Sequence, residues 1–118
     1  MKTVFLILCL TVLTHQEISA QDEFELQPSQ SMLMTGKGSG QDGTINPYDG
    51  QDCYAIIENF GKNEFSIRIQ TKGKIIKTIP ILKGETKKVK LLKGYELYLD
   101  ADSNSKTKAR IGYEKMVD

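Results

Sequence analysis

Glu64-Phe65-Ser66-Ile67-Arg68-Ile69-Gln70 decides the fold: Phe65, Ile67 and Ile69 fall on one side of an extended chain, and Glu64, Ser66, Arg68 and Gln70 on the other. Successive side chains of a strand point to opposite faces, so this alternation marks a strand with one buried and one wet face. It recurs downstream, where Tyr95, Leu97, Leu99 and Ala101 alternate with Glu96, Tyr98 and Asp100, and where Ala109, Ile111 and Tyr113 alternate with Lys108, Arg110 and Glu114. Upstream, Cys53 to Phe60 is apolar at consecutive positions and reads as a central strand covered on both faces. Lys74 to Leu82 is rich in Ile but contains Pro80, which cannot donate to a ladder, so it reads as an edge strand or one that bends. Thr86 to Leu92 sets Val89 and Leu91 against Lys88 and Lys90, and exposed lysines also suit an edge.

Short breaks rich in turn residues separate these runs: Gly61-Lys62-Asn63, Lys72-Gly73, Lys83-Gly84-Glu85, Lys93-Gly94 and Ser103-Asn104-Ser105. Short connections imply antiparallel neighbours. No stretch after residue 20 has a helical period, so the fold class is all-β, a single antiparallel β-sandwich, with a small up-and-down β-barrel as the alternative. Residues 21–30 are polar and acidic and read as frayed, with 21–35 as the segment least bound to be ordered, although Ser31 to Thr35 suits one more strand. A Gly-rich loop follows at 36–52, with Asn46-Pro47-Tyr48 inside it; a loop of that length in a small domain is functional or disordered.

The N-terminus reads as a signal peptide, residues 1–20, with Lys2 as the positive region, Val4 to Leu13 as the apolar region and Ile18-Ser19-Ala20 before a cut at Gln21. The apolar run is ten residues, too short to span a bilayer, and nothing later in the chain approaches the roughly 20 a spanning helix needs. Leu8 precedes Cys9 where lipid attachment wants a small residue. The expectation is a secreted or periplasmic protein without a transmembrane segment, whose residues 21–118 form one domain with its own core.

Cleavage after Ala20 also removes the only His, His15, and one of the two cysteines, Cys9. The remaining chain has no His and no Trp, which excludes His-dependent acid–base chemistry, Ser/His/Asp and Cys/His nucleophiles, and His-ligated metals. Cys53 is left without a partner for an intramolecular disulfide and reads as a small buried residue. No catalytic residue, cofactor or metal ligand is assigned.

The strings Glu58-Asn59-Phe60-Gly61, Phe65-Ser66-Ile67-Arg68-Ile69, Ile79-Pro80-Ile81, Gly84-Glu85-Thr86 and Gly94-Tyr95-Glu96-Leu97 resemble the immunoglobulin-like β-sandwich modules of bacterial secreted proteins. The resemblance covers residues 53–114, rests on turn chemistry and alternation, and implies a sandwich in which an Asn-x-Gly turn closes the first hairpin. It implies no activity, since folds of this kind host many functions. Gly36 to Asp52 has no counterpart in it.

Charge is distributed unevenly. Residues 62–93 carry ten Lys or Arg against Glu64 and Glu85, a net of +8, whereas residues 21–61 have a net of −6 and residues 94–118 a net of −1. The candidate anion-binding residues are Lys72, Lys74, Lys77, Lys87, Lys88 and Lys90, a basic face suited to an anionic partner such as an acidic glycan or a lipid headgroup, with a protein also open as the partner. The competing reading is that these lysines solubilise and guard edge strands. Nucleic acid fits poorly, because Lys outnumbers Arg nine to one in residues 62–93 and Arg is the usual bidentate phosphate ligand.

Other constellations read as turns. Asp100, Asp102 and Asn104 place oxygens as a calcium loop does, but Ser105 and Ile111 stand where an EF-hand needs Gly and a bidentate acid. Lys37-Gly38-Ser39-Gly40 lacks both the Gly-Lys-Ser/Thr motif and a following helix, so it is no phosphate loop. Asp42, Asp49 and Asp52 suit Asx turns as well as they suit a metal or sugar. The functional expectation is a secreted, non-catalytic binding module that contacts an anionic ligand through its Lys-rich face. The alternative is a protein inhibitor or immunity-type protein that presents the 36–52 loop.

Overall fold

A computed structural model describes residues 21–36, 42–102 and 104–116. The signal-peptide expectation for residues 1–20, and Lys37 to Gln41 of the Gly-rich loop, lie outside the described residues. Among the described residues there are eight strands: β1 (Asp22–Leu26), β2 (Ser31–Thr35), β3 (Cys53–Asn59), β4 (Phe65–Thr71), β5 (Lys74–Ile81), β6 (Thr86–Leu91), β7 (Glu96–Ala101) and β8 (Thr107–Lys115). They form two antiparallel sheets of four, with the orders β1-β8-β3-β6 and β2-β7-β4-β5. The inward rows read from the sequence pack between them: Phe65, Ile67 and Ile69 of β4, Leu97 and Leu99 of β7, and Ala109, Ile111 and Tyr113 of β8 are all buried. The result is a β-sandwich; the sheets do not close on each other, so the barrel alternative is excluded.

Only β4 and β5 are joined as a hairpin within one sheet, through Lys72 (φ 50°) and Gly73 (φ 78°), the two positive φ values that a type I′ turn requires. Each other connection passes from one sheet to the other. Leu82-Lys83-Gly84-Glu85 and Leu92-Lys93-Gly94-Tyr95 are matching turns of this kind. In each, the fourth residue's N–H donates to the first residue's carbonyl at 2.9 Å, and the glycine sits at φ 75° or 86°, as a type II turn needs. Sheets pack about 10 Å apart, a distance that four residues bridge easily. Short breaks therefore reverse the chain here without making the strands neighbours, which corrects the reading of them as hairpins.

The connectivity also corrects the immunoglobulin-like expectation. An immunoglobulin domain places four strands against three, with sequential hairpins in its sheets. Here the last strand, β8, lies between β1 and β3, and β7 lies between β2 and β4, so two four-stranded sheets are interleaved along the chain. That is the double Greek key of a jelly roll. The Asn59-Phe60-Gly61 turn closes no hairpin; it carries the chain from β3 in one sheet to β4 in the other.

Two further readings change. The acidic segment expected to fray contains β1, because Phe24 and Leu26 alternate with Glu23 and Glu25 and pair opposite Ala109 and Thr107. β3 is central as expected, but only its Cys53, Ala55, Ile57 and Asn59 row is buried. Tyr54, Ile56 and Glu58 form a half-buried outer row, covered by long side chains from β6 and β8 such as Lys88, whose Nζ lies 4.4 Å from the Tyr54 ring centre.

Candidate functional site: a basic groove along the open side of the sandwich

β6 ends one sheet and β5 ends the other, and residues of both edges line one groove. Between them runs a groove of about 640 Å³ whose lining includes Ile69, Ile76, Ile79, Val89, Leu92 and Tyr95, with Lys77, Lys87, Lys88 and Lys90 around it. Its two walls follow from strand register. On β6, Lys87, Val89 and Leu91 pair opposite the buried Ile57, Ala55 and Cys53, so that row faces inward, while Lys88 and Lys90 face outward. On β5, Lys77 and Ile79 pair opposite the buried Ile69 and Ile67, so they too face inward.

A bulge shapes the β5 wall. Ile69 pairs with Lys77 and Gln70 with Ile75, which leaves Ile76 as an extra residue without a cross-strand partner. Bulges bend a strand and re-aim its side chains. Ile76 remains 46% exposed at the groove, and Leu92, where β6 runs into its turn, is 37% exposed.

The six lysines expected to make one basic face are divided by the structure. Lys77, Lys87, Lys88 and Lys90 come together at the groove, on two different strands and in two orientations. Lys72 and Lys74 do not join them, since Lys72 lies in the tight turn between β4 and β5 and Lys74 directly after it. Two of the four are held within the chain. Lys88 bonds Glu114 at 2.9 Å, which raises its pKa, and Lys87 lies 3.8 Å from Glu85. Lys77 and Lys90 make no ion pair among the described residues. The apolar floor was missed by sequence reasoning. The signal for it was the adjacent pairs Ile75-Ile76 and Leu91-Leu92, because two successive apolar residues in a strand cannot both face one core.

Three of the acids singled out from the sequence, Asp100, Asp42 and Asp52, have structural tasks. Arg68 bonds Asp100 through Nε at 2.9 Å and Nη2 at 3.0 Å, and the Ser31 hydroxyl donates to the same carboxylate at 2.6 Å. The Arg68 bonds foremost hold Asp100 below the usual carboxylate range. Arg68 also lies over the ring of the outward Tyr98, 4.2 Å from its centre. In the 36–52 loop, Asp42 accepts from the Gly36 N–H at 3.0 Å and Asp52 from the Lys93 N–H at 2.9 Å, while Asn46 accepts from the Tyr48 N–H at 2.8 Å as an Asx turn. The N–H groups of Gly43 and Thr44 donate to the Leu33 and Met34 carbonyls, and the buried Thr44 hydroxyl bonds the Tyr113 hydroxyl. The described part of the loop is thus tied to the sandwich, with Ile45 (88% exposed) as its outward apolar residue. Cys53 is buried, and desolvation foremost raises its thiol pKa.

No family model matches this chain, and no curated protein matches it in sequence. Among solved structures it is similar to PirA, with a TM-score of 0.62 at 16% identity over 81% of this chain and 94% of PirA. It also aligns with a protein of Bacillus endospore appendages, which form disulfide-linked pili, with a TM-score of 0.46 at 11% identity over 86% of this chain and 89% of that one. The likeness to PirA is one of fold.

Proposed function

We propose that this is an exported, non-catalytic interaction module that engages an anionic partner along the β5–β6 edge. The observation that carries the reading is the groove itself: an apolar floor bordered by Lys77, Lys87, Lys88 and Lys90, two of them without a counter-charge among the described residues. Lysines that border one groove add their fields where they lie within a Debye length of one another, about 8 Å at physiological salt, and so act jointly on an extended anion. The non-catalytic part is supported by the absence of His from residues 21–118 and by the commitment of Asp100, Glu58, Glu23 and Glu114 to Arg or Lys partners. Export rests on the reading of residues 1–20, and no helix among the described residues is long and apolar enough to cross a membrane.

The test uses dextran sulfate as a soluble sulfated glycan. The secreted chain is expected to bind it at low salt, with an affinity that falls steeply as salt rises, because neutralising a polyelectrolyte releases its counterions. A chain that ignores dextran sulfate at low salt overturns the reading, leaving the lysines as solvated guards of two edges.

A further inference from the structure

The two edges of one sheet carry opposite charge. In the order β1-β8-β3-β6, β1 carries Asp22, Glu23 and Glu25 with no base, and β6 carries Lys87, Lys88 and Lys90 with no acid. Among the described residues β1 pairs only with β8, and β6 only with β3, so each presents one unpaired ladder side. An unpaired edge is a template for another strand. We propose that the anionic partner of β6 is β1 of a second copy of this chain, so that sandwiches join head to tail along this sheet. The proposal rests on the reading of β6 as an anion-binding edge.

Strand direction permits it. Every neighbouring pair in the sheet is antiparallel, so β1 and β6, first and fourth, run in opposite directions. A second copy displaced sideways by one sheet width, without being turned over, therefore brings its β1 antiparallel to β6 with inward and outward faces matched. In one register that uses all of β1, Glu23, which also bonds Arg110, stands opposite Lys90 and Glu25 opposite Lys88, which also bonds Glu114, on the outer face; on the inner face Phe24 stands opposite Val89, Asp22 opposite Leu91 and Leu26 opposite Lys87. Phe24 and Val89 are each half-buried in the single chain, with surface still to cover. Lys90 and Glu25 make no ion pair among the described residues.

The same charges forbid the competing pairings. Two β6 edges would set lysine against lysine, and two β1 edges acid against acid; like charges directly opposite destabilise a ladder. The contact is then heterologous, and a heterologous contact that does not close into a ring builds an open row.

Charge exchange tests it, on the secreted chain, by sedimentation at low ionic strength. The wild type is expected to associate reversibly as concentration rises and to dissociate at about 0.5 M salt, where screening is nearly complete. Glu25→Lys and Lys90→Glu should each weaken association about tenfold or more, while an equimolar mixture of the two associates, because one retains the basic edge and the other the acidic one. Unchanged thermal unfolding of each variant separates this from misfolding. Glu25→Lys should also bind dextran sulfate at least as well as the wild type, since it keeps the basic edge and adds a cation. A wild type that binds dextran sulfate but stays monomeric overturns self-assembly and leaves anion binding standing, and one that does neither overturns both. Glu25→Lys associating as well as wild type, or a mixture no better than its components, also overturns the proposal.

Discussion

The Asn59 knot and the β5–β6 groove use similar polar chemistry to opposite ends. At the knot, the Asn59 side chain is fully buried, with its Nδ2 donating to the Asn63 and Ile81 carbonyls at 2.8 and 3.0 Å and its Oδ1 accepting from the Gly61 N–H at 3.1 Å. Its backbone N–H donates to Glu85 and its carbonyl accepts from Gly84, while Asn63 reaches on to Lys106, so three connections between the sheets are pinned together. At the groove, Lys77 and Lys90 have no ion-pair partner among the described residues, and the apolar residues beside them stay partly exposed. Polar groups that are buried must be satisfied inside the chain and so contribute to its stability. Polar groups left at an open edge contribute little to stability and remain available to a partner.

The largest effect should come from the knot. Asn59→Ala removes three side-chain bonds from a fully buried position, among them the one to the Ile81 carbonyl, and deprives the Gly61 N–H of its partner, so it should cost about 2–4 kcal/mol in denaturant unfolding. A cost below about 0.5 kcal/mol would break the contrast from the buried side. Next is Tyr113→Phe, which takes away the hydroxyl bonded to Thr44 beneath the 42–52 segment and should cost about 1–2 kcal/mol. Because that hydroxyl's pKa is raised, chiefly by burial, its contribution is present below the ordinary tyrosine pKa and lost as pH climbs through the folded value. Alkaline unfolding should therefore shift to higher pH in Tyr113→Phe relative to its own stability at pH 7.

The Arg68–Asp100 pair lies between these extremes, part-buried on the outer face of its sheet. Asp100 is held low in the folded state, so its contribution is whole above the ordinary aspartate pKa of about 3.9 and falls away as pH drops below it toward the folded value. Asp100→Asn should cost about 1 kcal/mol at pH 7 and flatten the acid limb of the stability profile. An unchanged acid limb would show the pair to be idle.

The legibility of the two regions differs for a physical reason. Alternation is local, so the strands around Phe65–Ile69, Leu97–Leu99 and Ala109–Tyr113 could be read within a residue or two, as could the edge positions of β5 from Pro80 and of β6 from its lysines. Which strands become neighbours is not local. Gly84 and Gly94 announce a reversal of the chain, but whether the next strand joins the same sheet depends on partners far along the sequence. The groove was half legible: the charge excess showed the lysines, while the bulge at Ile76 that sets the β5 wall follows from pairing with β4 and has no signature of its own. β1 was hidden because its acids outnumber Phe24 and Leu26.

The measurement that tests the central claim most directly is the binding of dextran sulfate by Lys77→Gln/Lys90→Gln, read against the wild type over a salt series together with the unfolding midpoint of each. The account predicts affinity reduced about tenfold or more, a shallower salt dependence, and stability within about 0.5 kcal/mol of wild type. An unchanged affinity and salt slope in a folded double variant would contradict it, and would place any anion binding away from the β5–β6 edge.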